Sequence, residues 1–193
     1  MKRTDEKISD KYRAMGVEKF YRQEGSTYRN PHEFAIRDLL MRALSKIDTS
    51  GHMLDLACGS GESTLVMEQC GFWHIDAIDP YTHEAYRERT GRKAAELTFE
   101  QIADGCLCLP GHEYDAIVCS FAMHLVDESR LPKLCYQLST VSDHLIVITP
   151  IKRPEVRAEW GWSMESETMK HRVRCRTYRS SNRQKITEDA EKE

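Results

Sequence analysis

The chain has 193 residues with a formal net charge of −3; 40% of its residues are hydrophobic and 31% are charged. This length fits one domain of usual size, and the small net charge gives no global reason to expect a partner such as nucleic acid or an acidic membrane. From the charged N-terminus and the absence of any long apolar run, we expect neither a signal peptide nor a membrane span. Seven scattered cysteines without zinc spacing predict reduced thiols, no metal site and a cytoplasmic protein.

The N-terminal part of the chain predicts a separate segment followed by a helix. Residues 1–29 are mixed in charge, and we expect them to form a segment outside the main domain. Asn30 followed by Pro31 is typical of a helix start, with Asn30 as N-cap and Pro31 in the first helical position. Apolar residues then recur at helical spacing from Ile36 to Ile47, which predicts an amphipathic helix that packs on a sheet.

The central stretch combines a buried strand, a glycine turn and a helix. Met53 to Leu56 predicts a short strand, and the helix is predicted from Ser63. Gly59 and Gly61 lie in the turn between them, where glycine permits positive φ and lets backbone N–H groups approach a ligand. Together with Asp55 at the strand end, the turn predicts a small polar binding site at the C-terminal edge of the sheet.

The ligand of this turn is indicated by what the sequence lacks. A dinucleotide fingerprint requires a third glycine, and that position holds Thr64. Asp55 adds negative charge, which opposes a pyrophosphate and suits a ligand that carries an ammonium and a sulfonium. A nicotinamide-linked oxidoreductase is therefore the least favoured function.

The rest of the chain alternates predicted strands and helices, which indicates a parallel sheet with right-handed crossovers. An acid that ends the second strand, Asp79, is placed where such folds bind ribose hydroxyls. The last two strands are joined by a tight connection and should be antiparallel. The predicted strands after the first are Trp73 to Asp79, Leu97 to Ile102, Asp115 to Cys119, Leu145 to Thr149, Trp162 to Glu167 and Arg172 to Tyr178.

Asp55, Gly59, Gly61 and Asp79, with the Asp115 to Cys119 strand and the terminal hairpin, resemble the class I S-adenosylmethionine (SAM)-dependent methyltransferase family. The resemblance implies an α/β three-layer fold: a mostly parallel seven-stranded sheet that ends in an antiparallel hairpin, with helices on both faces. It implies a methyltransferase domain over residues 30–179, preceded by the segment 1–29 as a possible substrate cap. Residues 180–193 have almost no apolar content and are expected to be a mobile charged tail.

The resemblance also implies a set of cofactor-binding residues for SAM. Gln101 and Ile102 fall where relatives hold the adenine ring, and Asp104 could hydrogen-bond its amino group. The full expected set is Asp55, Ala57, Cys58, Gly59, Ser60, Gly61, Asp79, Pro80, Gln101, Ile102, Asp104, Cys119 and Ser120.

Candidates for catalysis and substrate binding are fewer. His124 follows the Asp115 to Cys119 strand and could act as a general base, although a packing role is favoured because a sulfonium is already activated. Tyr21, Tyr28 and His32 could cap the substrate or simply pack the N-terminal helix.

The alternating arginines Arg172, Arg174 and Arg176 could bind phosphates of RNA, but a solvated face paired with neighbouring glutamates is favoured. We therefore expect a SAM-dependent methyltransferase that acts on a small molecule, with no membrane partner and with nucleic acid not favoured. The alternatives are an RNA or protein methyltransferase that uses this arginine face, or a non-catalytic SAM-binding protein.

Overall fold

The architecture was analysed in a computed structural model, which describes residues 30–107 and 113–183. Helices and strands alternate along most of the chain. The helices are α1 (Glu33–Leu44), α2 (Glu62–Gln69), α3 (His83–Thr90), α4 (Phe99–Ala103) and α5 (Leu131–Val141), with short 3-10 helices at Met123–Leu125 and Ala158–Trp160. The strands are β1 (Met53–Leu56), β2 (Ile75–Ile78), β3 (Tyr114–Ser120), β4 (Ser142–Thr149), β5 (Trp162–Lys170) and β6 (Val173–Ser180).

The strands form one six-stranded sheet in the order β2-β1-β3-β4-β6-β5. The pairs β1–β2, β1–β3 and β3–β4 are parallel, whereas β4–β6 and β5–β6 are antiparallel. The mostly parallel sheet and its antiparallel terminal hairpin confirm the predicted class of fold, but the count of seven strands is wrong for the described residues. The parallel strands bring the C-terminal ends of β1, β2 and β3 to one edge, where ligands bind in open α/β sheets.

The missing strand is the one predicted from Leu97 to Ile102. Its place beside β2 is taken by a single parallel bridge between Ile78 and Ala95, after which the chain turns into α4. Thr98 caps this helix: its hydroxyl accepts from the Gln101 N–H, and the Gln101 side chain accepts from the Thr98 N–H. This reciprocal capping box satisfies two donors of the helix start and favours the helix over an extended strand.

Hydrophobic residues cover both faces of the sheet. On β3, Ile117 and Cys119 face the core under α4 and α5, whereas Ala116 and Val118 face the core under α1 and α2. This alternation follows from the period of two along a strand. The sheet is therefore buried on both sides, as expected for a parallel sheet with helices on both faces.

The start of α1 differs slightly from its prediction. As expected of a capping side chain, Asn30 accepts a backbone hydrogen bond: its Oδ1 accepts from the His32 N–H at 2.9 Å. The helix itself begins at Glu33, with residues 31–32 in a turn, so Pro31 precedes the first helical residue.

The C-terminal boundary also needs correction. Ser180, predicted as the first residue of a mobile tail, ends β6, is buried and donates to the Ser139 carbonyl at 2.6 Å. Asn182 donates to the Ser139 hydroxyl at 2.7 Å, and Arg183 lies 3.2 Å from a Glu113 carboxylate oxygen. Polar contacts hold residues 180–183 against the domain even though they contain no apolar side chain. The expected tail over residues 184–193 and the segment 1–29 lie outside the described residues. Across the described ranges, no helix has both the length and the apolar character needed to cross a bilayer.

Candidate functional site

A cavity of about 950 Å³ opens at the C-terminal edge of β1, β2 and β3. Its size falls within the range of small-molecule and cofactor sites. The loops after these three strands supply much of its wall, to which α1, α2, α3 and α4 also contribute. Lining residues that bear on the chemistry are Asn30, Ala57, Gly59, Glu62, Asp79, His83, Glu84, Phe99, Glu100, Ile102, Ser120, Phe121 and Asp127.

The backbone around the cavity adopts conformations that side chains rarely permit. Gly59 and Gly61 have φ values of 58° and 89°, as predicted for glycine in this turn. Ala57 and Phe121 also have positive φ, at 57° and 56°, and both line the cavity. Such conformations in non-glycine residues carry strain and occur preferentially at functional sites.

A side chain is disfavoured at Gly59 and at Gly61 for different reasons. A Cβ on Gly61 would come within 2.5 Å of Thr90 Cγ2, so the close packing of α3 against this turn excludes a side chain. A Cβ on Gly59 would approach only Glu62 Oε2, at 3.4 Å, and Gly59 lies on the cavity wall. Gly59 therefore keeps the wall open to a ligand, whereas Gly61 serves the packing.

Asp79 connects the two loops that form the floor of the site. Its Oδ2 accepts from the Gly59 N–H at 3.1 Å, and its Oδ1 accepts from the N–H groups of Tyr81 and Thr82 at 2.8 and 2.9 Å. The Thr82 hydroxyl returns to the Gly59 carbonyl at 2.8 Å. Asp79 is buried but remains part of the cavity wall, so the same carboxylate fixes the loop after β1 and faces the ligand space.

Asp55 has a different environment from the one predicted. It is buried behind the turn, outside the cavity lining, and accepts from the Thr64 hydroxyl at 2.6 Å. That hydroxyl in turn lies 3.1 Å from the Tyr86 hydroxyl oxygen. Desolvation is the main cause that raises the pKa of Asp55 to about 7, with smaller contributions from the nearby carboxylates of Glu62 and Asp79. Thr64, at the position of a third glycine, is therefore the hydrogen-bond partner that holds Asp55 in place.

The wall of the cavity is acidic. Carboxylates reach it from Glu62, Asp79, Glu84, Glu100 and Asp127, and its described lining contains no lysine or arginine. Arg89 approaches Glu62 from behind the wall, at 3.3 Å. The field inside the cavity therefore favours cationic groups and opposes phosphates.

Two buried polar atoms on the wall test whether a SAM-like ligand fits. Ser120 and His83 line the cavity, and Ser120 Oγ and His83 Nδ1 are buried atoms with no hydrogen-bond partner among residues 30–107 and 113–183. Buried polar groups almost always have a partner, so these atoms indicate a polar ligand. Ile102 and Phe99 add apolar surface suited to a purine. Acidic, apolar and unpaired polar groups together match the sulfonium, ribose and adenine of SAM.

Of the residues predicted to bind cofactor, seven line the cavity and six do not. Gln101 points its side chain back to cap α4, and Asp104 is exposed and paired with Lys133. Both positions depend on the predicted third strand, which is a helix. The lining residues are Ala57, Cys58, Gly59, Asp79, Pro80, Ile102 and Ser120; those outside the lining are Asp55, Ser60, Gly61, Gln101, Asp104 and Cys119.

His124 lies on the short 3-10 helix beside the site but is not part of the cavity lining. Its Nδ1 is buried with no partner in the described structure, and burial lowers the pKa of this imidazole. His32 stacks on Phe121, with ring centroids 5.1 Å apart, so this one member of the predicted substrate cap contacts the cavity wall. Tyr21 and Tyr28 lie outside the described residues.

The arginine face of the terminal hairpin is largely internal. Arg176 is 7% exposed; its guanidinium donates to Glu167 at 2.6 Å and to the carbonyls of Lys152 and Pro154, each at 2.8 Å. Arg174 also pairs with Glu167. Arg172 alone of the three predicted arginines is exposed, in the turn between β5 and β6.

Metal chemistry has no visible basis in the described ranges. No cluster of His, Cys, Asp and Glu there could hold a metal ion, and the six described cysteines are free thiols. Cys108 lies outside these ranges.

Several wall residues were not predicted from the sequence. Glu62 is the most important: it is buried, and its Oε1 accepts from the Asn30 N–H and the Ser60 hydroxyl at 3.2 and 2.7 Å. Its place at the first helical residue after a glycine turn was the available signal, because an acid there complements the helix dipole. His83 and Phe121 had no comparable signal.

The chain is similar to solved methyltransferases in fold. It superposes on magnesium protoporphyrin IX methyltransferase (ChlM) from Synechocystis PCC 6803 with bound SAM, with a TM-score of 0.58, 15% identity, and coverage of 90% of this chain and 95% of that one. It also superposes on the putative methyltransferase yhhF from Escherichia coli, with a TM-score of 0.59, 15% identity, and coverage of 80% and 89%. These superpositions show that the chain has the class I methyltransferase fold.

Sequence comparison gives the family. Residues 28–184 match the methyltransferase domain family, and the chain belongs to it. It is also 37% identical, over 196 aligned positions, to an uncharacterized protein of Schizosaccharomyces pombe, covering 80% of this chain and 79% of the relative.

Proposed function

We propose that this chain binds SAM in the cavity beside Gly59 and transfers its methyl group to a small molecule that is neutral or cationic. The acidic wall is the observation that carries the proposal. A unit charge 4 Å from a carboxylate interacts by about 4 kcal/mol at an effective dielectric constant near 20, so an anionic acceptor would be strongly disfavoured beside these carboxylates.

Named residues would hold the cofactor in this arrangement. Asp79 would accept from ribose hydroxyls, Ile102 and Phe99 would pack on the adenine, and Ser120 Oγ would supply a polar contact; the support is that all four residues line the cavity. When bound, SAM supplies a methyl group already activated by its sulfonium. The chain then needs to bind and orient the acceptor, because alignment alone can contribute several kcal/mol to lowering the barrier.

The acceptor is proposed to be a small molecule because the hairpin offers little for a nucleic acid. Arg176 is buried on carbonyls and Glu167, and Arg174 shares that glutamate. Phosphate binding by these side chains would require breaking contacts that the fold already uses. Nucleic acid is accordingly not the proposed partner, and a cytoplasmic location remains an expectation from the sequence.

Calorimetry with S-adenosylhomocysteine and with NAD tests the cofactor. We expect binding of S-adenosylhomocysteine and none of NAD, and the reverse result would contradict the proposal. A panel of amines, neutral hydroxyl compounds, carboxylates and phosphate esters, scored for S-adenosylhomocysteine release, tests the acceptor. Turnover confined to the anionic compounds would contradict the acceptor class while leaving SAM binding intact.

A further inference from the structure

Glu62 and Asp79 are the two buried carboxylates of the cavity wall, and they lie on either side of Gly59. Asp79 Oδ2 accepts from the Gly59 N–H, while Glu62 Oε2 lies 3.4 Å from the point that a Cβ on Gly59 would occupy. The other three acids of the wall, Glu84, Glu100 and Asp127, are exposed and therefore screened by water. A ligand at Gly59 thus meets two desolvated carboxylates.

The hydrogen bonds of Glu62 leave one oxygen available. Oε1 takes the donors supplied by the fold: the Asn30 N–H, the Ser60 hydroxyl and Arg89. Within the described residues no hydrogen bond reaches Oε2. The side chain is therefore held in one position by Oε1 while Oε2 remains an acceptor.

Among the residues that the structure describes, the charge around Glu62 is only half compensated. Arg89 pairs with Glu33 as well as with Glu62, so two carboxylates share one guanidinium. Counted over these described residues, one negative charge is left in the cluster. The Glu33 side chain is 45% exposed, whereas that of Glu62 is 6% exposed. The uncompensated charge is strongest where water is excluded, at Glu62.

We propose that Glu62 is the residue that recognises the α-ammonium of the methionyl group of the cofactor, through its Oε2. This rests on the proposed use of SAM and goes beyond it by assigning the residue that distinguishes SAM and S-adenosylhomocysteine from adenosine thioethers without the amino-acid part. Asp55, the acid of the glycine motif, is unsuited to this role because it is buried behind the turn on Thr64. Asp79 lies at the end of β2, on the side that the proposed arrangement assigns to the ribose hydroxyls.

The test compares two ligands that differ only in the amino-acid part. Calorimetry on the full chain measures the dissociation constants of S-adenosylhomocysteine and of 5′-methylthioadenosine, for the wild type and for Glu62→Gln. Loss of a charge-assisted hydrogen bond should weaken S-adenosylhomocysteine binding by about tenfold to a hundredfold. Binding of 5′-methylthioadenosine should change by less than about threefold, because it has no ammonium.

Glu68→Gln is the matched control, since it removes another carboxylate of α2 that pairs with Arg92 and lies outside the cavity lining. We expect it to leave both ligands unaffected. If Glu62→Gln does not fold, Glu62→Asp is the second variant, because it keeps the charge on a shorter side chain. It should still weaken the binding of S-adenosylhomocysteine selectively. Equal weakening of both ligands by the Glu62 variant, or no weakening of either, would overturn the role of Glu62. Failure of the wild type to bind either ligand would instead contradict the use of SAM itself.

Discussion

The two ends of the sheet use charged residues in opposite ways. At the end formed by β1 and β2, Glu62 and Asp79 direct carboxylates toward a cavity whose described lining has no basic side chain. At the other end, in the β5–β6 hairpin, Arg174 and Arg176 share Glu167, and Arg176 also bonds two backbone carbonyls. A charged residue is a candidate for ligand binding when the fold leaves part of it unpaired, and Arg174 and Arg176 do not meet that condition.

The largest expected effect tests whether the hairpin arginines are structural. Arg176→Ala should lower the free energy of unfolding by about 3 kcal/mol, because it leaves the carbonyls of Lys152 and Pro154 without their donor and Glu167 without one of its two arginine partners. Urea unfolding measures this. Arg172→Ala, in the exposed turn, is the control and should change stability by less than about 0.5 kcal/mol.

A nucleic-acid assay tests whether the arginines of the same hairpin bind phosphates. Filter binding of tRNA at physiological salt should be weak, with a shallow salt dependence. The double variant Arg172→Ala/Arg174→Ala, which keeps the buried Arg176, should bind as the wild type does. Strong binding that this double variant abolishes would place the arginines in a functional surface and refute the comparison.

The second effect concerns the cavity side. Asp79→Ala should weaken S-adenosylhomocysteine binding by about 1–3 kcal/mol, the range for hydrogen bonds to a charged group. The loss also frees the Gly59 N–H, which loosens the loop after β1. Calorimetry measures the dissociation constant, and Asp104→Ala is the control because Asp104 is exposed, pairs with Lys133 and is not part of the lining. An unchanged constant in a folded Asp79 variant would remove Asp79 from the site.

A third effect separates Asp55 from the carboxylates that face the cavity. Its pKa is raised from 3.8 to about 7, so between these values the folded chain holds a proton that the unfolded chain has released. Its stabilising contribution is complete below pH 3.8 and is lost as the pH rises through 7. The free energy of unfolding should therefore fall by on the order of 1 kcal/mol per pH unit across this window.

Asp55→Asn should flatten this dependence, since the amide resembles the protonated acid and can still accept from Thr64. Urea unfolding at pH 5.5 and pH 8 measures the difference, with Glu84→Gln, an exposed acid of the wall, as control. Parallel pH profiles for the wild type and the Asn variant would show that Asp55 does not titrate in this range.

Most of the fold could be predicted because its signals are local and repeated. Short β-branched runs such as Leu145 to Thr149 are typical of buried strands, and glycine at positions 59 and 61 favoured the turn that the structure has. The failure at Leu97 to Ile102 was a competition between two local signals. Alternating apolar residues favoured a strand, but Thr98 and Gln101 form a capping box, and two satisfied backbone donors outweigh a weak alternation.

The site was harder to predict because it depends on the direction in which each side chain points. Asp55 and Glu62 are seven residues apart, and the sequence does not say which carboxylate faces the ligand. That depends on Thr64, whose hydroxyl holds Asp55 behind the turn, and on Asn30, whose N–H fixes Glu62 from a distant part of the chain. Long-range contacts of this kind have no sequence period, so the glycines were placed correctly while the acid on the wall was not identified.

The smallest expected effect concerns His124. Its side chain is outside the cavity lining, and burial lowers the pKa of the imidazole. His124→Ala should therefore reduce turnover by less than about tenfold, whereas removal of a general base would cost about 10²–10⁴-fold. An acceptor found in the panel makes the measurement possible, as the rate of S-adenosylhomocysteine release at saturating SAM. The pH profile provides a separate readout: the acidic limb of the wild-type profile should persist in the variant, because another group or the acceptor itself sets it. A folded His124→Ala protein that binds SAM normally, loses turnover by a hundredfold or more and loses that acidic limb would make His124 the base and extend the functional side of the sheet beyond the cavity wall.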